Sequence, residues 1–276
     1  MMPLSDTSPD AERVLVAVYR CMPLGQKARR LAELYRFARR LHATGMRERQ
    51  PGASASKIQE DWMRLTLGIE RPPIGEVREM IPQEDMSLVV HDVVKAFKSL
   101  SIPYALGGSM ASSLLGKPRL TADADFTAEP FPGREAAFAK CFGPDYYLHI
   151  PAIEHANRRR SSFNIIHTAS GFKADVFIAK ERPFDREVMG RRRLYEIEGE
   201  PQESITLVSP EDIILLKLEW YRIGQEVSEK QWSDVLGVLQ VKAGQLDEAY
   251  LDRWAASLGV SDLLARARQQ ASASLD

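Results

Sequence analysis

Asp123 and Asp125 stand one residue apart in the run LTADADFTA. On an extended strand, side chains at i and i+2 leave the same face, so the two carboxylates would sit side by side. Two such anions repel unless a cation lies between them. Oxygen-only ligands of this kind suit Mg²⁺ or Mn²⁺. Ahead of them, Gly107, Gly108 and Ser109 form a tight turn between a short apolar run, IPYAL, and a helical one, SMASSLL. Glycines there let backbone N–H groups approach a phosphate, and the start of the helix favours an anion. Ser109 adds a hydroxyl. Arg119 and Thr121 lie on the approach to the acidic strand, where Arg119 pairs either with a phosphate or with Asp123. A third acid, Asp175, lies within the apolar run FKADVFIAK. A charge there is costly unless it is paired or holds a metal. The plainer alternative pairs it with Lys173 or leaves it to solvent.

Elements must position these groups. The periodicity of residues 10–67 predicts helices, with Leu31, Leu34, Tyr35, Ala38 and Leu41 on one apolar face. Gly45 is expected to stop the long one, and Ser56 with Gln59 to cap the next, which Gly68 ends. Residues 71–86, with Pro72, Pro73 and Pro82, read as a linker. SLVVHDVVKAFKSL predicts a helix and IPYAL a buried strand. LTADADFTA, SSFNIIHT, KADVFIA and ITLVS predict further strands, with a helix at GREAAFAKCF and a turn at Ser170 and Gly171. Ser209, Pro210 and Asp212 open a C-terminal helical region, with helices expected near 229–240, 246–258 and 261–270. The expected class is therefore α+β, a mixed sheet with helices before and after it. The segments are 1–70 (helical), 71–86 (linker), 87–208 (core) and 209–276 (helical).

Composition narrows the possibilities. The 276 residues carry a net charge of -1, so the whole chain is no polycation for nucleic acid. Residues 1–70 nonetheless hold 12 Lys and Arg against 8 Asp and Glu, a surplus of four. Much of it lies in Arg29, Arg30, Arg36, Arg39, Arg40, Arg47 and Arg49, which form either a solvated helix face or a surface for nucleic acid or a partner. Two distant cysteines, Cys21 and Cys141, argue against a disulfide framework or a cysteine zinc site. No signal peptide or membrane-spanning run is apparent, so a cytoplasmic protein with no membrane partner is expected. His149, His155 and His167 lack metal-ligand spacing. The basic clusters at 157–160 and 190–193 read as solvated turns, with contact to RNA as the sharper alternative. Trp220, Tyr221 and Trp232 read as helix packing.

Taken together, LGGSMASSLLGKPRLTADADF resembles the signature of the DNA polymerase beta-like nucleotidyltransferases. There, a Gly-Gly or Gly-Ser turn precedes an Asp-x-Asp strand and a third Asp follows on a neighbouring strand. Here 13 residues separate Ser109 from Asp123. The run Arg119, Thr121, Asp123, Asp125 is most similar to that of the AbiEii-type toxin nucleotidyltransferases, which carry a downstream Lys and Asp on successive helices. Lys217 and Asp234 match these. The likeness covers roughly residues 87–240 and leaves the N-terminal helices unassigned.

The resemblance implies a nucleotidyltransferase-type core that moves a nucleoside monophosphate from an NTP to a hydroxyl of a tRNA, protein or small molecule, with an antitoxin as a possible partner. Asp123, Asp125 and Asp175 are then catalytic and hold Mg²⁺ or Mn²⁺. Gly107, Gly108, Ser109, Arg119, Thr121, Lys217 and Asp234 serve the nucleotide. Two other readings stand beside this one. One is a glycosyltransferase using Asp-x-Asp, against which the helical N-terminus counts. The other is a nucleotide-binding regulator with an inactive site.

Overall fold

The computed structural model describes residues 9–67, 86–121, 123–168, 170–196 and 204–273. The first helices are α1 (Pro9–Cys21), α2 (Leu24–Arg49), α3 (Ala55–Leu67) and α4 (Met86–Ser99). Next come β1 (Tyr104–Leu106), α5 (Gly108–Leu115), β2 (Asp123–Ala128), α6 (Glu135–Ala139), β3 (Tyr146–Tyr147) and α7 (Ile150–Arg159). They are followed by β4 (Ser162–His167), β5 (Phe172–Ile178), α8 (Pro183–Arg191), β6 (Arg193–Glu196) and β7 (Ser204–Leu207). The chain ends in α9 (Pro210–Ile223), α10 (Glu229–Val241), α11 (Glu248–Leu258) and α12 (Ser261–Ala273). The expected α+β class, with helices before and after mixed strands, is the one found.

Tertiary contacts divide the chain into two compact units. The strand unit is Arg29–Gly107 with Leu120–Met189, and the helical unit is Met1–Ala28, Gly108–Arg119 and Gly190–Asp276. These cut across the segment boundaries expected from composition. The expected 1–70 segment is shared between both units, and the 87–208 segment gives up Gly108–Arg119 and the chain from Gly190. The expected linker lies outside the described residues except for Met86, which is buried at the start of α4.

In the strand unit the strands run β3-β4-β5-β2-β1. β2 and β5 are parallel, while β1/β2, β3/β4 and β4/β5 are antiparallel. Along β2 the pleat buries Ala124, Phe126 and Ala128 and leaves Asp123, Asp125 and Thr127 half-buried. The core face carries an aromatic cluster. Phe97 of α4 stacks on Tyr104 at 5.1 Å and packs on Phe126 and Phe138. Tyr35 of α2 meets Phe172 edge-on at 5.4 Å and Trp62 of α3 at 5.8 Å, and its hydroxyl donates to Ser170 O. The expected turn before β5 is present. Gly171 has φ +67° there, and a Cβ on it would come within 2.8 Å of Met63.

Several local expectations need correction. α2 runs through Gly45 to Arg49, because Gly45 lies on an open face where its missing side chain costs only propensity. The cap of α3 is Ser54, whose Oγ accepts from Lys57 N, while Gln59 bonds Thr168 O and the Arg39 guanidinium. The supposed inward stripe of α2 splits: Leu31 and Tyr35 are buried, whereas Leu34 and Leu41 are 40% and 62% exposed. Helices α7 and α8 were not anticipated.

The helical unit packs α5, α9, α11 and α12 around α10 or its neighbours. Ser209 caps α9 as expected, its Oγ accepting from Asp212 N and donating to Asp212 Oδ2 at 2.7 Å. A Cβ on Gly116 would lie 2.8 Å from the backbone of Gly237, so only glycine permits this approach of the segment after α5 to α10. Nearby, the buried Lys27 ammonium reaches Gly116 O at 3.5 Å. Burial, and after it the charge of Lys242, lowers the Lys27 pKa to about 8. Because the folded value lies below the ordinary one, folding favours the neutral amine. Stability should therefore rise as pH goes from about 8 toward 10.5. Thermal melts across that range are expected to show this rise, and Lys27→Met is expected to flatten it and to raise Tm at pH 7.

Candidate functional site

The acidic face of the strand unit follows from register. Asp125 stands directly across from Asp175 in the parallel β2/β5 pair, and Asp123 across from Lys173. Asp123 and Asp125 share a face by the period of two, as do Lys173 and Asp175. Asp123, Asp125 and Asp175 each offer a carboxylate oxygen, all within 4.8 Å of one another, and all three side chains are half-buried. Thr121 Oγ1 donates to Asp123 Oδ1 at 2.9 Å and fixes its orientation. Asn164, paired with Asp175 across β4/β5, donates its amide to Asp175 Oδ1.

Three crowded carboxylates need counter-charge. Lys173 supplies some of it, with its Nζ 2.6 Å from Asp175 Oδ2. The plainer partner for Asp175 is therefore present, and it sits within the acid trio. The donor set is three carboxylates with partial access to solvent, which fits a hard divalent cation such as Mg²⁺ or Mn²⁺. Lys173 marks with its own ammonium where positive charge is favoured. Lys173 was expected only as the plainer partner of Asp175, and Asn164 was not expected at the site. The alternation of FKADVFI does put 173 and 175 on one face, so that signal was available.

The Gly-Gly-Ser turn takes the expected place. β1 ends at Leu106, and Gly107 N donates to Asp125 O at 2.7 Å, extending the ladder beside the acidic strand. Gly108 then opens α5 with φ +56°, a left-handed conformation that favours glycine.

In the helical unit, four of the expected nucleotide-binding residues meet in one network. Arg119 makes a two-pronged contact with Asp234, Nε to Oδ1 at 2.6 Å and Nη2 to Oδ2 at 2.8 Å. Its Nη2 also donates to Ser109 Oγ at 2.6 Å. Lys217 Nζ lies 2.7 Å from Asp234 Oδ2 and donates to Gln231 Oε1 at 2.9 Å. Arg119 thus pairs with Asp234, not with Asp123. Asp234 and Lys217 are 4% and 5% exposed at the side chain, while Arg119 keeps 29%. Burial works against the charge on Asp234, but the hydrogen bonds and charges of Arg119 and Lys217 outweigh it. They hold its carboxyl below the ordinary Asp range. Two cations on one anion leave the group with net positive charge. Gln231 belongs to this network and was missed, since nothing in its spacing distinguishes it.

Other candidates have structural partners. His167 is buried with Nδ1 2.8 Å from Ser170 Oγ. Arg160 closes α7 in the left-handed region and donates to Ala179 O and Glu181. Arg191 lies 3.8 Å over the Tyr250 ring and pairs with buried Glu211 at 3.2 Å. Tyr221 and Trp232 pack together at 5.2 Å as expected, whereas Trp220 is 56% exposed. No helix among the described residues is long and apolar enough to cross a membrane.

No family profile and no curated protein matches the chain. Similar solved structures include an antigenic nucleotidyltransferase-like protein from Paracoccidioides brasiliensis. It is 18% identical, with TM-score 0.41 over 66% of this chain and 91% of that one. The antibiotic-resistance factor ANT(2'')-Ia is 18% identical, with TM-score 0.36 over 62% of this chain and 93% of that one. Its complex with adenylyl-2''-tobramycin is 16% identical, with TM-score 0.35 over 62% and 95%. At these values the chemistry of the site rests on its own residues.

Two predictions follow from the charges. Lys173→Met removes the built-in counter-charge, so Mn²⁺ titration followed by electron paramagnetic resonance should show affinity raised roughly tenfold. Unchanged or weaker affinity would mean that Lys173 does not compete at the acid face. Asp234→Asn leaves two cations without their anion and should cost on the order of 3 kcal/mol at pH 7. Because the folded pKa of Asp234 is depressed, its contribution is complete above the ordinary Asp value and disappears as pH falls through the folded one. Melts of parent and variant should therefore converge in acid, below the ordinary Asp value.

Proposed function

We propose that the chain is a metal-dependent nucleotidyltransferase, moving a nucleoside monophosphate from an NTP to an acceptor hydroxyl. One observation carries this reading: the β2/β5 register brings Asp123, Asp125 and Asp175 within 4.8 Å of one another on one half-buried face. Three carboxylates this close repel one another unless positive charge lies among them. In this reading the trio binds Mg²⁺ or Mn²⁺, which supplies positive charge to phosphate oxygens and lowers the cost of in-line displacement.

The chain's own residues do the rest. Thr121 and Asn164 orient the outer acids through the bonds described above. Ser109, Arg119 and Lys217 are assigned to the phosphates, with Asp234 holding both cations ready. The turn is assigned to the same anion through Gly108, since the Gly107 N–H is already given to Asp125 O. Asp175, directly across from Asp125 on β5, is assigned to complete the metal-holding set and so to help activate the attacking hydroxyl.

The run Arg119, Thr121, Asp123, Asp125, followed by Lys217 and Asp234, supports the AbiEii-type toxin subtype, with an antitoxin as cognate partner. The acceptor in this subtype reading is a tRNA or protein hydroxyl, and a small molecule is the further option. Incubation with each radiolabelled NTP, Mg²⁺ and total cellular RNA or protein tests this on a gel. Label in RNA or protein supports the proposal and names the acceptor class. No transfer from any NTP to RNA, protein or an aminoglycoside panel counts against it.

Asp123→Asn should lower transfer by roughly a hundredfold or more, because losing one metal ligand forfeits several kcal/mol of charge stabilisation. Removing one of three crowded anions also relieves repulsion, so without Mg²⁺ the variant should melt no lower than the parent. It should lose the added stability that Mg²⁺ with NTP gives the parent. Transfer at near-parental rate would remove Asp123 from the catalytic set. An inactive and unfolded variant would make it a structural residue.

A further inference from the structure

The basic N-terminal helix carries a second observation that the transfer chemistry does not use. α2 has eight Lys and Arg against two Glu, a surplus of six in a chain whose net charge is -1. Its inward side buries Leu31, Ala32, Tyr35 and Met46. The side facing away from that contact should be polar in a simple amphipathic helix. Among exposed Arg30, Glu33, Thr44 and Glu48 it also presents Leu34, Phe37 and Leu41, which are 40%, 57% and 62% exposed. At i, i+3 and i+7 these three fall on one line along the helix. Single exposed apolar residues are ordinary, but a contiguous line of three, with an aromatic ring at its centre, marks a contact surface.

The flanks of that line define what fits it. At ~100° per residue, Arg40 and Arg47 fall along one side, both exposed, with Glu33 between them and the line. On the other side Gly45 is open, with only the end of the Arg49 side chain near where a Cβ would be. That flank lets another backbone come close. A helix would lay a leucine-rich stripe against Leu34, Phe37 and Leu41, approach at Gly45, and turn a row of carboxylates toward the arginines. Nucleic acid fits less well. A single-stranded RNA surface interleaves basic groups with several aromatic platforms, and here two of the three central residues are leucine. We infer that the outer face of α2 is a docking surface for an acidic amphipathic helix of a protein partner. This stands apart from the transferase reading, because none of its residues belongs to the acid face or the Arg119 network.

The test uses the full chain and a stapled, fluorescein-labelled peptide of about five helical turns. Leucines run at i, i+3 and i+7 on one face, with a row of glutamates along one edge. Controls are a peptide of the same composition with the leucines scrambled, and a single-stranded RNA of equal charge. Fluorescence anisotropy at physiological salt should give a Kd of roughly 10–100 µM for the helix, and binding at least tenfold weaker for both controls. Phe37→Ser and Leu41→Ser should each weaken the helix about tenfold. Circular dichroism and melts should show the parental fold, because both positions are exposed. Arg40→Glu with Arg47→Glu should lose the acidic helix and gain a version carrying lysines for glutamates. Equal binding of the scrambled peptide would show charge attraction alone and overturn the proposal. So would preferred binding of the RNA, absence of binding, or a parent dimer in light scattering that Phe37→Ser dissolves.

Discussion

Repulsion among Asp123, Asp125 and Asp175 is the constraint around which the strand unit is built. Three like charges within 4.8 Å would drive their strands apart or protonate if nothing opposed them. What opposes them is the opposite face of the same strands. Ala124, Phe126 and Ala128 on β2, and Phe172, Ala174, Val176 and Ile178 on β5, are all buried. The buried residues alternate with Asp123, Asp125 and Thr127 on β2 and with Lys173, Asp175 and Phe177 on β5, so the packing that fixes the register also fixes the acids. A slip of one residue would bury the carboxylates and expose the phenylalanines, at a cost far above the repulsion. The core can thus sustain the acid face, with the Lys173 ammonium sharing it.

A related problem is solved differently in the helical unit. Asp234 is almost fully buried, and a lone carboxylate there would be untenable. Arg119 and Lys217 neutralise it, and Gln231 takes one more of the lysine's donors. This geometry depends on close backbone approach. Gly237 lies one turn beyond Asp234 on α10, and Gly116 meets it with no room for a Cβ. The pair of glycines therefore sets how far α10 stands from the segment leading to Arg119. A methyl group at 116 would act on the ion pairs through distance, without touching a charge. Arg119 keeps more exposure than its partners, so of the two cations it is the one able to meet a ligand from solvent while staying anchored.

How much of this the sequence foretold depends on where the determining interaction lies. Asp123 and Asp125 were legible because the pleat alone puts i and i+2 together. Asp175 was legible because a charge in an apolar strand demands an explanation. Ser209 was legible as a cap because capping is local. Lys217 and Asp234 were reached through likeness of pattern, and only the tertiary structure shows that they bind each other. Lys173 was legible as a neighbour of Asp175 from the pleat, whereas the choice of Asn164 as a donor depends on strand pairing that no local rule supplies. Ser56 with Gln59 was expected to cap α3, but Ser54 does so, and Gln59 bonds Thr168 O across a tertiary contact that local pattern does not show. The outward turn of Leu34 and Leu41 was illegible for a deeper reason. Periodicity reports that apolar residues share stripes, and it cannot say which stripe finds a partner within the chain.

Lys173 also bears on how metal and fold are related. A site of three acids with no built-in cation would make the metal-free protein pay the full repulsion, and folding would then depend on the metal. An ammonium 2.6 Å from Asp175 removes part of that penalty. The same ammonium must yield some of its contact when a divalent cation enters, which weakens binding by the interaction it gives up. Stability without metal and affinity for metal are therefore linked with opposite signs through one side chain. Lysine suits this role better than arginine. Its charge sits at a single mobile atom that can swing away, whereas a guanidinium held by two prongs would be displaced less readily. The contrast appears within this chain: the two-pronged arginine clamps Asp234, and the lysine stands beside the acids proposed to hold a divalent cation.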